Sequence, residues 1–275
     1  MPKLTDKLVR RVVVSVPVFS RNRAFMSVLD ALDWTISRPF SEFRDLPPNR
    51  MRIRVGVGNR ILFNQAQYLE YGAGTVVELM SESLLSLDSN VLDIGSGCGR
   101  LAAALERFGL RGCYSGIEVD QEMVEWCRRH FPAERFQFHY ANVYSSVYNP
   151  DGERGPYRVP LDDATQDLVI GQSLFTHLLP DDLANYLREA HRVLRPGGSM
   201  YMGVFCLDDM QDLGLLGGRW SFPAAIGPAH VENERFPEAA VAYERGYLRE
   251  AAKAAAFSEV EITPREPQSI LRCRR

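Results

Sequence analysis

The stretch Val91-Leu92-Asp93-Ile94-Gly95-Ser96-Gly97-Cys98-Gly99-Arg100 decides the fold. Four strand-forming residues run into three glycines at alternate positions, and a helix pattern begins at Arg100. Glycine lets the backbone turn sharply and pass close to a ligand. The helix start that follows offers unpaired N–H groups to electronegative atoms. The spacing is G-x-G-x-G, not the G-x-G-x-x-G that cradles a pyrophosphate. Asp93 stands two residues before the first glycine, where it would repel a phosphate and attract an ammonium or hydroxyl group. The pattern therefore points to a zwitterionic ligand.

Working outward, strands and helices alternate. Residues 100–108 read as a helix with Leu101, Ala104, Leu105 and Phe108 on one face. Strand 113–118 follows, then a helix over 121–130 with Met123, Trp126, Cys127 and His130 on one side, then strand 136–140. A Pro/Gly-rich loop (149–160) precedes the apolar strand 167–171, a helix opened by Pro180, and strand 199–205 after Pro196-Gly197-Gly198. Upstream, a helix carrying Leu79, Leu84 and Leu85 leads into strand 90–95. This alternation means right-handed crossovers and a parallel sheet with helices on both faces, an α/β doubly wound three-layer sandwich. After 206 the alternation breaks. Residues 207–237 read as a long loop, functional or carrying small elements of its own, 237–256 as an Ala-rich helix, and 259–263 and 269–274 as strands.

Two further acids and amides fall at strand ends. Glu118 closes the second strand, 25 residues after Asp93, where a carboxylate can accept both hydroxyls of a ribose diol. Asn142 ends the third strand, where an amide can bond the exocyclic amine of adenine while Val143 packs on the base. An amino-acid head group, a ribose and an adenine, with a sulfonium in place of a phosphate, describe S-adenosylmethionine. The stretches VLDIGSGCGR (91–100), GIEVDQEMVEW (116–126), DLVIGQSLFTHLLPDD (167–182) and EAHRVLRPGGSMYM (189–202) together resemble the class I, Rossmann-like, S-adenosylmethionine-dependent methyltransferase family. The resemblance covers about 60–275. It implies a seven-stranded, mostly parallel sheet of order 3-2-1-4-5-7-6, with residues 269–274 as the antiparallel last strand. It also implies that Gly95 and Gly97 bracket the methionine moiety, Glu118 the ribose and Asn142 the adenine. The family often has Asp at position 142; the Asn carbonyl still accepts a hydrogen bond. The expected cofactor set is Asp93, Gly95, Ser96, Gly97, Arg100, Glu118, Val119, Asn142, Val143, Gln172 and Ser173.

His177 follows the fourth strand, on the sheet edge where open α/β folds place ligands. Imidazole titrates near neutrality, so His177 is the candidate general base. In similar small-molecule O-methyltransferases a histidine just after this strand takes the acceptor's proton. A purely structural histidine that fixes the loop is the competing reading. Phe175, Trp220, His230 and Glu232 are the candidate acceptor-binding residues, the last three in an apolar stretch (207–237) expected to act as an acceptor-side lid. The expected acceptor is a small molecule with a hydroxyl, such as a glycan or a specialised metabolite. An amine acceptor, with Glu232 or Asp208 prominent, and a cofactor-binding pseudoenzyme are the alternatives.

The chain has 275 residues, 45% hydrophobic and 24% charged, with a net charge of −3. Charge is uneven: residues 1–60 hold 12 Lys and Arg against 5 Asp and Glu, and the remainder 20 against 30. The expected organisation is a basic N-terminal extension (1–60), with a weak helix over 22–34, before a catalytic domain (61–275). The acidic body, and the lack of a D/N-P-P-Y/F motif after the fourth strand, disfavour nucleic-acid methylation. The five cysteines show neither CxxC nor disulfide spacing, so neither a zinc site nor any catalytic metal is expected. Residues 12–19 are apolar but too short to span a bilayer and lack a cleavage site. The reading is a cytoplasmic protein with no stable membrane insertion.

Overall fold

The computed structural model describes residues 23–55, 62–146 and 148–275. The chain divides into two compact units, 1–71 and 72–275.

In the first unit, helix α1 (Arg23–Ser37) and the single turn α2 (Asn49–Arg52) surround a buried ion pair. Arg52 Nη2 donates to both Asp33 oxygens, at 2.8 and 2.7 Å, and its Nε to Asn64 Oδ1 at 2.7 Å. The Gln65 amide donates to Asp33 and Ser37, each at 2.7 Å. Partners on every side are what make a buried charge tolerable. Helix α1 starts and ends close to the expected 22–34; residues 12–19 lie outside the described residues.

The second unit begins within helix α3 (Gln65–Ser81), which ends before Leu84 and Leu85, so these two lie beyond the helix expected to carry them. Strands β1 (Val91–Ile94), β2 (Tyr114–Glu118), β3 (Phe136–Tyr140), β4 (Gln166–Gly171) and β5 (Leu194–Cys206) pair in parallel, each with its neighbour in the order β3-β2-β1-β4-β5. Helices α4 (Arg100–Phe108), α5 (Gln121–His130) and α6 (Pro180–Val193) make the crossovers. Their ends carry local signals. The Asp120 carboxylate caps α5 by accepting from Met123 N at 3.2 Å. Helix α6 has proline in its first turn with Asp181 and Asp182, and His191 and Arg192 in its last, which complements its dipole.

After helix α7 (Leu207–Asp212) come the short strands β6 (Ala224–Ile226), β7 (Ala229–Val231) and β8 (Val241–Tyr243). Helix α8 (Arg245–Ala254) and strands β9 (Glu259–Thr263) and β10 (Ser269–Arg274) close the chain. β10 runs antiparallel between β5 and β9. The main sheet is therefore β3-β2-β1-β4-β5-β10-β9, the expected 3-2-1-4-5-7-6 with its one reversed strand. Leu92 and Ile94 of β1 enter the main core with Leu183, Leu187 and Ala190 of α6 and Leu248 of α8. Alternation turns Val91 and Asp93 to the other face.

One expectation is corrected. Residues 237–256 are not one helix. A 3₁₀ turn (Pro237–Ala239) and β8 come first, and the helix begins only at Arg245. Val241, Ala242 and Tyr243 are all buried, and Ala242 and Tyr243 pair with the end of β5, so strand pairing overrides the alanine-rich helix propensity. Residues 207–237 carry small elements of their own. β6 and β7 form a hairpin about Gly227-Pro228, with Gly227 at φ 57°, the positive value a tight hairpin turn requires at its first central position. The hairpin continues through β7–β8 onto β5, adding three short strands to the expected seven.

Candidate functional site

The glycine loop leaves β1 with Gly95, Gly97 and Gly99 at φ 80°, 55° and 78°. Three left-handed residues at alternate positions fold the backbone into a tight double turn that side chains would strain. Gly95 N and Ser96 N both donate to Ile117 O, at 2.8 and 3.0 Å, which pins the loop to β2. The Glu118 carboxylate completes the attachment. Its Oε2 accepts from Gly97 N at 2.8 Å, and its Oε1 from Val119 N and Asp120 N at 2.8 and 2.9 Å. Three N–H donors leave Oε2 one lone-pair direction for a ligand hydroxyl. Burial still raises the Glu118 pKa above its ordinary value, against the pull of these hydrogen bonds.

Asp93 is buried. Among the described residues its side chain has one hydrogen bond, from Tyr114 OH to Oδ2 at 2.7 Å. Burial lifts its pKa from 3.8 to about 6; Tyr114 and Arg100 oppose the rise and Glu118 adds to it. Ser96 Oγ, packed against Gly116 of β2, is buried and among the described residues has no hydrogen-bond partner. An under-compensated carboxylate and an orphaned hydroxyl at the mouth of a glycine loop are what a cationic, hydroxyl-bearing ligand would satisfy. The donor set fits the amino-acid and ribose parts of S-adenosylmethionine.

On the third strand's side, Asn142 is exposed. Its Oδ1 accepts from Tyr140 OH at 3.2 Å and its Nδ2 donates to Glu153 Oε1 at 3.2 Å. Val119 and Val143 are half-buried and pack on the rim of the main core. On the fourth strand's side, Arg100 Nη2 donates to Gln172 Oε1 at 3.1 Å, and Gln172 Nε2 to Thr75 Oγ1 at 2.7 Å. Ser173 sits at φ 60°, a strained value for a residue with a side chain, and its hydroxyl accepts from Gln268 Nε2 at 3.0 Å. Thus Asp93, Ser96, Gly97 and Glu118 form one group, Arg100 and Gln172 a second, and Ser173 pairs instead with the β9–β10 connection.

His177 lies in a 3₁₀ turn (Phe175–His177) after β4. Its Nδ1 is 2.8 Å from Glu238 O, and Tyr148 OH is 3.4 Å from Nε2. Burial lowers its pKa below the ordinary 6.5, partly offset by backbone acceptors at Glu238 and Ala239. Ser146 Oγ donates to the Glu238 carboxylate. The other acceptor candidates sit elsewhere. Phe175 is 1% exposed in the main core, so it supports the turn and offers no face to a ligand. Trp220 packs against Phe205, with ring centroids 4.5 Å apart. His230 lies on β7 between Ala225 and Ala242 of its neighbouring strands, and Glu232 is exposed. Among the described residues, hydrogen bonds tie His177 to Tyr148 and Glu238 and not to Trp220, His230 or Glu232. Sequence reading missed Tyr148, Ser146, Glu238 and Gln268. The first two lie in an irregular loop and Glu238 in a stretch that reads as helix; only Gln268, just before the last strand, had a positional signal. Among the described residues no group of three or more His, Cys, Asp or Glu could hold a metal ion, and no helix is long and apolar enough to cross a membrane.

Comparison with known proteins agrees with this geometry. Residues 92–202 match the family model described as a methyltransferase domain. Residues 92–202 thus carry a methyltransferase domain, and they hold strands β1 to β5 of a Rossmann-like sheet. It is 32% identical over 135 residues to an arsenite methyltransferase of Aquipseudomonas alcaligenes, covering 48% of this chain and 35% of that protein. It is 29% identical over 136 residues to the arsenite methyltransferase of Homo sapiens, covering 48% and 33%. The matched region thus spans about a third of the length of these relatives. In fold it is similar to a Pyrococcus horikoshii protein, with TM-score 0.51 and 18% identity over 74% of this chain and 90% of that one. A Methanococcus maripaludis protein classed with the S-adenosylmethionine-dependent methyltransferases gives TM-score 0.50 and 15% identity over 77% and 89%.

Proposed function

We propose that this protein transfers a methyl group from S-adenosylmethionine to the hydroxyl of a small molecule, with His177 as general base. The observation that carries the reading is the state of His177. A backbone carbonyl accepts only, so Nδ1 carries the ring proton and Nε2 keeps its lone pair. Burial keeps the ring neutral at pH 7. A neutral imidazole with a fixed tautomer is what deprotonation of a hydroxyl requires.

Bound S-adenosylmethionine supplies a methyl group already activated on a sulfonium. The residues of this chain then bind and orient. Asp93 and Ser96 take the amino-acid head, and Glu118 a ribose hydroxyl through the free direction on Oε2. Asn142 and Val143 flank the adenine, and Arg100 and Gln172 brace the loop from the side of β4. As the acceptor oxygen gains the methyl group its proton passes to His177 Nε2, and the Glu238 carbonyl steadies the Nδ1–H of the resulting imidazolium. Most of the acceleration in such a reaction comes from holding the reactants in line.

The basic 1–60 segment and residues 207–237 would set acceptor choice, being additions to the common sheet. The arsenite methyltransferases support a small acceptor. The test is a methyl-transfer screen read by mass spectrometry for a +CH₂ product, with hydroxylated, amine and arsenite arms. Turnover on hydroxylated compounds that His177→Ala abolishes supports the proposal. Turnover on amines or arsenite alone overturns it.

A further inference from the structure

His177 is held from two sides by residues that meet at Glu238. The Glu238 carbonyl fixes Nδ1, and the Glu238 carboxylate accepts from Ser146 Oγ. Ser146 and Tyr148 belong to one turn, whose ends Ser145 and Asn149 exchange two backbone hydrogen bonds of 3.0 Å. Ser145 Oγ accepts from Tyr148 N at 3.3 Å. Asn149 Nδ2 extends the attachment to Val143 O at 3.0 Å, next to the adenine-side residue Asn142. The turn presents Tyr148 to the imidazole in two ways. The rings meet edge-on at 78° with centroids 5.3 Å apart, and the phenol oxygen lies 3.4 Å from Nε2. Since Nε2 has the lone pair, the phenol is the donor. Tyr148 is itself 41% exposed.

We infer that Tyr148 is a positioning residue for the proposed reaction. Its hydroxyl donates to His177 Nε2 before the acceptor arrives, and an acceptor hydroxyl takes the same place. The inference rests on the reading of His177 as base. The contact does two things. It holds the ring in the plane in which Nε2 faces the turn, and it rewards an acceptor that brings an O–H donor of its own to replace the phenol. Displacing the phenol breaks its hydrogen bond to Nε2, which a hydroxyl acceptor restores and an acceptor lacking a donor does not. The turn is thereby a determinant of acceptor specificity as well as of ring orientation.

The test is acylation of His177 by diethyl pyrocarbonate in the intact protein at pH 7, followed by peptide mass spectrometry. The reagent attacks the unprotonated imidazole nitrogen, so it reads the accessibility of the Nε2 lone pair without any acceptor. Tyr148→Phe keeps the ring contact and removes only the donor. The rate at His177 should rise by roughly 2- to 10-fold, the worth of one net hydrogen bond. The rate at His139 on β3 should not change. An unchanged rate at His177 in Tyr148→Phe overturns the inference. So does a parallel rise at His139, which would mean general loosening. The outcome is separable from the reading beneath it. Faster acylation in Tyr148→Phe together with full methyl transfer by His177→Ala keeps the contact and removes the base. Unchanged acylation with an inactive His177→Ala does the reverse.

Discussion

Asp93→Asn should make the ligand-free protein more stable at neutral pH while impairing its site. In the folded chain burial lifts the Asp93 carboxyl from 3.8 to about 6. Each tenfold change in an ionisation constant is worth about 1.4 kcal/mol, so holding this carboxylate ionised at pH 7 costs the fold about 3 kcal/mol. Between pH 3.8 and 6 the folded state keeps the proton and the unfolded state releases it, so stability falls as pH rises through that window and is level above it. Asparagine is never ionised, and its carbonyl can still accept from Tyr114 OH. The variant should match the wild type near pH 4 and exceed it by about 3 kcal/mol above pH 7. For a unit of this size that corresponds to a rise in Tm of about 6–12 °C. Thermal unfolding of both proteins without ligand, from pH 4.5 to 8, measures this directly. An Asp93→Asn variant no more stable than the wild type at pH 7.5, or a difference that does not grow with pH, would refute the argument that Asp93 is an uncompensated charge awaiting a cation.

Three other predictions concern the same edge. Gly116→Ala should destabilise the protein by about 1–3 kcal/mol in denaturant melts, because a Cβ there would lie 2.8 Å from Ser96 Oγ and 2.9 Å from Phe138 Cδ1. His177→Ala should lower kcat by about 10²–10⁴ with cofactor affinity nearly intact. Wild-type turnover should fall on the acid side with a midpoint below 6.5, because burial lowers the His177 pKa and the base works only when neutral; a midpoint above 6.5 would contradict the geometry.

The sheet was legible because its signals are local. The near-continuous apolar run Leu168-Val169-Ile170 can only be a strand covered on both faces, and Gly95, Gly97 and Gly99 need φ values that other residues avoid. The places of Asp93 and Glu118 were legible for the same reason: they are fixed at the ends of β1 and β2. What was not legible depends on pairing between distant segments. Val241–Tyr243 becomes a strand only because the end of β5 offers it a free edge, and no local pattern reports that edge. Tyr148 and Glu238 reach His177 across 29 and 61 residues of chain. Phe175 is an expected acceptor contact close to the candidate base in sequence, yet the turn that carries His177 buries Phe175. Position along a strand end can be read from sequence, whereas the direction of a side chain in a loop cannot.

The central claim is that the glycine loop, Asp93 and Glu118 bind S-adenosylmethionine. Its most direct test is isothermal titration calorimetry of the purified protein with S-adenosylhomocysteine, alongside Gly97→Val. Gly97 has φ 55°, where a β-branched side chain is strained, and its N–H is the donor to Glu118. The account predicts one site with affinity in the micromolar range for the wild type, and no detectable heat for a variant that keeps its folded far-UV spectrum. Absence of binding by the wild type, or equal binding by Gly97→Val, would contradict it.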